Sequence, residues 1–328
     1  MQTNFIKYLK YKPLLYALLS IFLFVLFSLI NGSNGWGPIA DNEQTVGEIS
    51  RWCERVSGGF LKEPSNTLGN LGFIITGLYM FLTLARDSLT NKRKKDFMFG
   101  SSAIAILYAS AATFLGPGSM AMHGTHTRFG SWIDNVSMIA YILLIWIYNI
   151  KRLTNCSTKS YFSIYLLLLT YFSFGSWFVG PKLGIGINLF EVSIGLWICT
   201  EVLIRYPNIY GRVLSGFSVL AVQQLFGNSV LEAFTNIYEN WFLIIYFLPS
   251  LLPNIETSVQ VKRKYTPWFF LGFISFFSAL LIWGTGVPNH PLCNPDSWLQ
   301  AHMVWHLLCS FSTLSFFNYF RNESLLGN

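Results

Sequence analysis

Five polar residues carry spacings that could support chemistry. Ser119 and His123 are four apart in GPGSMAMHGTHTRFGSW, and His302 and His306 repeat that spacing in LQAHMVWHLL. On a helix each pair shares one face. Asp134 follows His123 by eleven residues. Three imidazoles, one carboxylate and one hydroxyl are the parts of a hydrolytic zinc site. Catalytic zinc takes three protein ligands and leaves a position for water, and bound zinc lowers the pKa of that water towards about 7. A carboxylate can take the water's proton and hand it to a leaving amine. A hydroxyl can steady the water or the developing oxyanion. HxxxH alone is a weak signal and lacks the Glu of HExxH. A single His at a helix end is more often an interface residue, Asp134 would also serve as a helix cap, and Ser119 follows a glycine as a turn residue would. His126 is off the Ser119/His123 spacing and His290 lies in a Pro-rich loop, so both are read as non-ligands.

These residues must be placed by elements of an unusual chain. Of 328 residues, 52% are hydrophobic and only 11% charged, against about 25% charged in a soluble domain. That excludes a soluble enzyme, a disordered chain and a nucleic-acid binder; the net charge of +7 is spread too thinly to track phosphates. A membrane helix needs about 20 apolar residues. Apolar windows fall at 13–30, 66–85, 97–117, 132–150, 160–180, 184–204, 212–229, 240–253, 267–285 and 299–320. The pair at 212–253 is weakest, with Gln223 and Gln224 in its first half and a short second half, and also fits a re-entrant hairpin.

Every second connection is basic, as the positive-inside rule requires. Lys7, Lys10 and Lys12 precede the first window, and Arg86 with the run Lys92, Arg93, Lys94 and Lys95 follows the second. Lys151, Arg152 and Lys159 follow the fourth, Arg205 and Arg212 the sixth, Lys262, Arg263 and Lys264 the eighth, and Arg321 the last. Both termini are then expected in the cytoplasm. Ser119, His123, Asp134, His302 and His306 are expected near one outer face, periplasmic or lumenal. The expected domains are an uncleaved anchor helix (1–31), an outer loop (32–65), a multi-pass catalytic domain (66–320) and a cytoplasmic tail (321–328). The fold class is an all-α polytopic membrane protein with up to ten spans. Glu191 and Glu201, ten residues apart in the sixth window, are a pair to watch, because ionisable groups in a bilayer are costly.

Ser119-x-x-x-His123, then Asp134, then His302-x-x-x-His306 resembles the alkaline ceramidase family, part of a superfamily of seven-helix membrane hydrolases that includes adiponectin-receptor-like proteins. Trp52-Cys53-Glu54, followed by Glu63-Pro64-Ser65-Asn66-Thr67-Leu68-Gly69-Asn70, is similar to the ceramidase pattern WCE…E-x-x-N-T-x-S-N. The resemblance covers residues 51 to 320. It implies a seven-helix core, beyond which the N-terminal helix and the 212–253 hairpin are additions. It implies zinc held by His123, His302 and His306, Asp134 as general base and then acid, and Ser119 orienting water. It also implies a lipid substrate from the bilayer, a ceramide-like N-acyl sphingoid base cleaved to fatty acid and amine.

In eukaryotic members an acidic loop binds calcium, and Trp52 (through its carbonyl), Glu54 and Glu63 match three of those positions. Here Arg51 replaces an acidic residue and Val56 another ligand, whereas Ca²⁺ takes six to eight oxygens. The alternative is that Arg51 and Arg55 pair with Glu54 and Glu63. Cys53 and Cys293 both fall in outer connections, where a disulfide fits an oxidising compartment. The resemblance supports the pairing, and two free thiols are the alternative. Two rival functions follow from the same residues: a receptor-like or lipid-sensing protein with a structural zinc, and a proton-coupled transporter using groups such as Glu191 and Glu201.

Overall fold

The computed structural model describes residues 10–41, 43–90, 98–225, 235 and 241–326. Lys7 and the basic run at 92–95 lie outside the described residues, as do 226–229 of the seventh apolar window, Asn240 and the side chain of Gln223. The molecule is an all-α polytopic membrane protein. Its helices are α1 (Lys12–Asn31), α2 (Pro64–Gly69), α3 (Leu71–Asp87), α4 (Ala103–Thr125), α5 (Arg128–Thr154), α6 (Thr158–Val179), α7 (Leu189–Arg205), α8 (Ile209–Leu225), α9 (Ile255–Ser258), α10 (Trp268–Thr285) and α11 (Ala301–Arg321). A two-residue ladder joins β1 (Val261–Lys262) to β2 (Ser324–Leu325).

Among the described residues, six helical segments are long and apolar enough to cross a membrane: α1, the α2–α3 segment Pro64–Asp87, α4, α5, α6 and α10. α7 has only 17 residues, about 26 Å at 1.5 Å per residue, short of the ~30 Å hydrocarbon core. α11 has the length, 21 residues, but its histidines, serines and Arg321 dilute its apolarity. In the 212–253 region the second half is a 3-10 helix, Trp241–Leu251, with Pro249 inside it. Apolar content does not distinguish a 3-10 from an α-helix. α1 buries no residue, and α6 and α10 bury three each. Their exposed Phe, Leu and Ile side chains suit a lipid environment.

The chain divides into two compact units. The first comprises residues 1–137 and 263–323, and it holds every site residue expected from the sequence. Within it α10 packs on α11, α3 on α4, and α11 on both α2 and α3. Small residues let these backbones approach, as in other membrane helix pairs. A Cβ on Gly69 would lie 2.9 Å from the Met303 carbonyl oxygen, and one on Gly118 would lie 2.6 Å from Ser137 Oγ. α4 outruns the apolar window ending at 117. The helix continues through Pro117 to Thr125 and carries Ser119 and His123 in its last two turns. Proline is tolerated there because neighbouring helices compensate the lost bond.

The second unit comprises residues 138–262 and 324–328. Its core gathers Val192, Leu196, Cys199 and Tyr246. Ser157 and Asn188 cap its helices α6 and α7, each accepting a backbone N–H from three residues on.

Candidate functional site

The stretch from Trp52 to Glu63 is tied at both ends near the helices that carry the three histidines. Cys53 is disulfide-bonded to Cys293. Arg55 donates its backbone N–H to the Pro295 carbonyl at 3.0 Å, and its guanidinium pairs with Asp296 at 2.6 Å. The Trp52 ring stacks on His302, 4.3 Å between centroids and 15° apart. These contacts fix the start of α11. At the other end the N–H groups of Lys62 and Glu63 donate to the Gly124 and His123 carbonyls at 3.0 and 2.9 Å, which fixes the end of α4.

The WCE…EPSNT stretch has a local physical role. A helix start leaves its first N–H groups without intrahelical partners. Pro64 at the first position of α2 has no N–H to satisfy. The next two N–H groups, of Ser65 and Asn66, donate to the two oxygens of Glu54 at 2.7 and 2.9 Å. A carboxylate eleven residues upstream thus caps the helix. Hydrogen bonds to charged groups contribute about 1.5–3 kcal/mol. Burial raises the Glu54 carboxyl above its usual pKa, and the two backbone donors only partly offset it.

His123 in the last turn of α4 and His302 and His306 in the first two turns of α11 are all buried. His302 Nε2 lies 3.1 Å and His306 Nε2 3.3 Å from His123 Nε2. One ligand atom from each residue lies within 4.8 Å of the other two. His123 Nδ1 sits 2.6 Å from Glu63 Oε2, so that nitrogen carries the proton, and in the neutral ring Nε2 presents a lone pair. One lone pair cannot satisfy two neighbouring ring nitrogens as an ordinary acceptor network would. Tetrahedral ligands about 2.0–2.1 Å from zinc stand about 3.3 Å from one another. The three histidines therefore fit a metal ion. Among the described residues His302 Nδ1 has no protein partner; stacking on Trp52 holds that ring instead.

Asp134 lies in the second turn of α5. Its carboxylate accepts a hydrogen bond from the buried Ser119 hydroxyl and interacts electrostatically with His123. The structure thus gathers all five residues of the sequence-level constellation in one unit. Residues 49–325 match the family model described as Ceramidase. The chain belongs to the ceramidase family. No curated protein shows a significant match to it. Ceramidases are hydrolases of amide bonds in lipid substrates, and a buried histidine triad that can hold a metal agrees with that chemistry.

Two arginines fall differently from the sequence reading. Arg51 pairs with Glu43 and Arg55 with Asp296, rather than with Glu54 and Glu63. Glu63, considered with Trp52 and Glu54 for calcium, accepts from His123 Nδ1, from His126 Nε2 at 2.9 Å and from Asn66 Nδ2 at 3.0 Å. Burial alone would raise its pKa, but His123 and His126 hold it well below the usual carboxylate range. His126, set aside by its spacing, ends α4 in a left-handed conformation, φ 55°, and its ring reaches the same carboxylate. No sequence periodicity signals a contact spanning sixty residues. An apolar cavity of about 160 Å³ beside α4, lined by Phe24, Leu29, Trp36, Leu61 and Met120, includes none of the three histidines.

Proposed function

We propose that this ceramidase-family chain is a zinc-dependent intramembrane amidase that cleaves ceramide-like N-acyl sphingoid lipids to a fatty acid and a free amine. The observation that carries the proposal is the approach of His302 and His306 Nε2 to His123 Nε2 at 3.1 and 3.3 Å. His123, His302 and His306 would hold the metal. When bound there, zinc makes water a nucleophile at neutral pH and polarises a carbonyl. Asp134 accepts a proton from the attacking water and returns it to the departing nitrogen as the C–N bond breaks and the new C–O bond completes the carboxylic acid. Ser119 donates to Asp134 and orients it; turned towards the substrate, the same hydroxyl steadies the oxyanion. A structural zinc is closed by four protein ligands. Three histidines facing a carboxylate and a hydroxyl suit an open catalytic position better than a receptor's structural ion.

The lipid substrate reaches the site from the bilayer, with its polar head at the outer rim. The basic connections support an outward-facing site and cytoplasmic termini. Calcium does not fit the acidic loop: both Glu54 oxygens and both Glu63 oxygens accept protein donors. Arg51 and Val56 offer no oxygen from their side chains, against a need for six to eight. No step is assigned to that ion.

Purified protein incubated with a panel of lipid amides should release fatty acid and amine, and elemental analysis should find one zinc per chain. Asp134→Ala should keep the zinc and lose turnover by about 10²–10⁴-fold, the range of general acid–base catalysis. Turnover retained by Asp134→Ala, or a metal-free active protein, would overturn the proposal.

A further inference from the structure

Beyond the five site residues, a line of ionisable side chains runs from His123 to the solvent. Glu63 Oε2 holds His123 Nδ1 and Glu63 Oε1 holds His126 Nε2. The other nitrogen of His126 faces Glu43 Oε2 at 3.7 Å. The second Glu43 oxygen is ion-paired with Arg51. The side chains of His126, Glu43 and Glu63 are 2–3% exposed, while that of Arg51 is 42% exposed. The line therefore starts at a buried ring and ends at the solvent.

The backbone builds this arrangement deliberately. Ile39 and Thr127 form an antiparallel bridge. Ala40 N–H donates to the His126 carbonyl at 2.9 Å, and Arg128 N–H to that of Pro38 at 3.0 Å. Residues 38–40 are thereby paired with the turn that carries His126, which brings Glu43 against its ring. Arg51 is held in turn by its own N–H, which donates to Gln44 Oε1 at 3.2 Å. Glu43 lies before the residues matched to the family model, which begin at 49. Each member answers a need of the next. A carboxylate on the outer side of a histidine fixes which nitrogen faces inward. Glu63 does this for His123; Glu43, at 3.7 Å from the outer nitrogen of His126, is beyond hydrogen-bond reach and acts on that ring through its charge alone. Glu43 is itself a buried charge and is costly unless paired, a need that Arg51 meets.

We propose that Glu43, Arg51 and His126 are positioning residues that set the metal affinity of the His123 site, acting through Glu63 from the outer loop. The inference rests on the three-histidine zinc site proposed above. Zinc affinity of the full-length protein in detergent, measured by competition with a chelator, tests it. His126→Leu should weaken zinc binding roughly 10–100-fold, as loss of an outer-shell partner does, and Glu43→Gln, which keeps shape and removes charge, by roughly tenfold. His126→Gln can still donate to Glu63 and should recover most of the loss. Turnover in these variants should fall in kcat with KM unchanged. Glu48→Gln removes a charge from the same loop, where among the described residues the Glu48 carboxylate accepts only from the Thr45 N–H, and should bind zinc as wild type does. Wild-type affinity in both His126→Leu and Glu43→Gln, or an equal loss in Glu48→Gln, would overturn the inference while leaving the zinc site standing. A wild-type protein without zinc would sink both.

Discussion

Two of the polar groups buried among the described residues, one in each compact unit, meet burial in opposite ways. In the second unit Asn149 donates through Nδ2 to Thr200 Oγ1 and Glu201 Oε2, both at 3.1 Å. Thr200 donates its own proton to the Leu196 and Trp197 carbonyls at 2.7 and 3.0 Å. Donor meets acceptor throughout these contacts. In the first unit three ring nitrogens face one another, and the proton that would join them is drawn from His123 towards Glu63. A buried polar group in a membrane protein signals function by default, yet only the second arrangement asks for something the protein does not itself supply. Unmatched lone pairs, more than burial, mark the site.

The contrast can be broken most decisively at the histidines. His302→Ala or His306→Ala removes one of three nitrogens and should abolish both zinc retention and amide hydrolysis. Elemental analysis and product release, run on the same preparation, should fall together. Zinc held at full stoichiometry by either variant would mean that the three rings do not form one site.

The next largest effect is expected at Glu63. Glu63→Gln keeps the shape of the side chain but loses the charge that orders His123 and His126. Metal affinity or turnover should drop about 10–100-fold, without loss of the disulfide or of helix content. Zinc titration followed by circular dichroism separates the two. An unchanged affinity would make Glu63 a packing residue and reduce the site to its three rings.

That residue also marks the limit of the sequence reading. His123, Ser119, His302 and His306 were readable because a helix puts i and i+4 on one face, and Asp134 because it opens the next apolar window. The apolar windows all meet helical segments for the same reason: apolar run length is a local property. Glu63 was found as an acidic loop residue, but its partners are sixty residues away, and spacing carries no information about contacts made by chain packing. The close approach of Gly118 to Ser137 was hidden likewise, since it too is a contact made by chain packing. The 3-10 conformation of 241–251 leaves no mark in hydropathy.

In the second unit the same kind of change should be mild. Asn149→Leu removes the hydrogen bonds to Glu201 and Thr200 without touching the histidines. Side-chain hydrogen bonds inside membrane proteins average about 0.6 kcal/mol, so a small fall in thermal midpoint is expected, with zinc content and turnover unchanged. A loss of zinc on this substitution would show that the two groups are coupled and that the contrast between them is false.

The smallest effect is expected where a charged pair is exposed. Arg55 and Asp296 form a two-pronged pair, Nε to Oδ1 at 2.6 Å and an amino nitrogen to Oδ2 at 3.0 Å. It joins the same two segments as the Cys53–Cys293 bond, so its loss leaves the loop still tied. Exposed pairs are weakened by water and salt. The pair's hydrogen bond holds the Asp296 carboxyl below its usual value, so its stabilisation is present above the ordinary carboxylate pKa and disappears as pH falls through the lowered one. Asp296→Asn should therefore melt slightly below wild type at pH 7 and together with it once the pH lies below the lowered carboxyl value. High salt should close the gap at pH 7 as well, and zinc content should not move. A gap that widened on acidification would mean that the pair is not what stabilises this end of the loop, and the disulfide would carry that role alone.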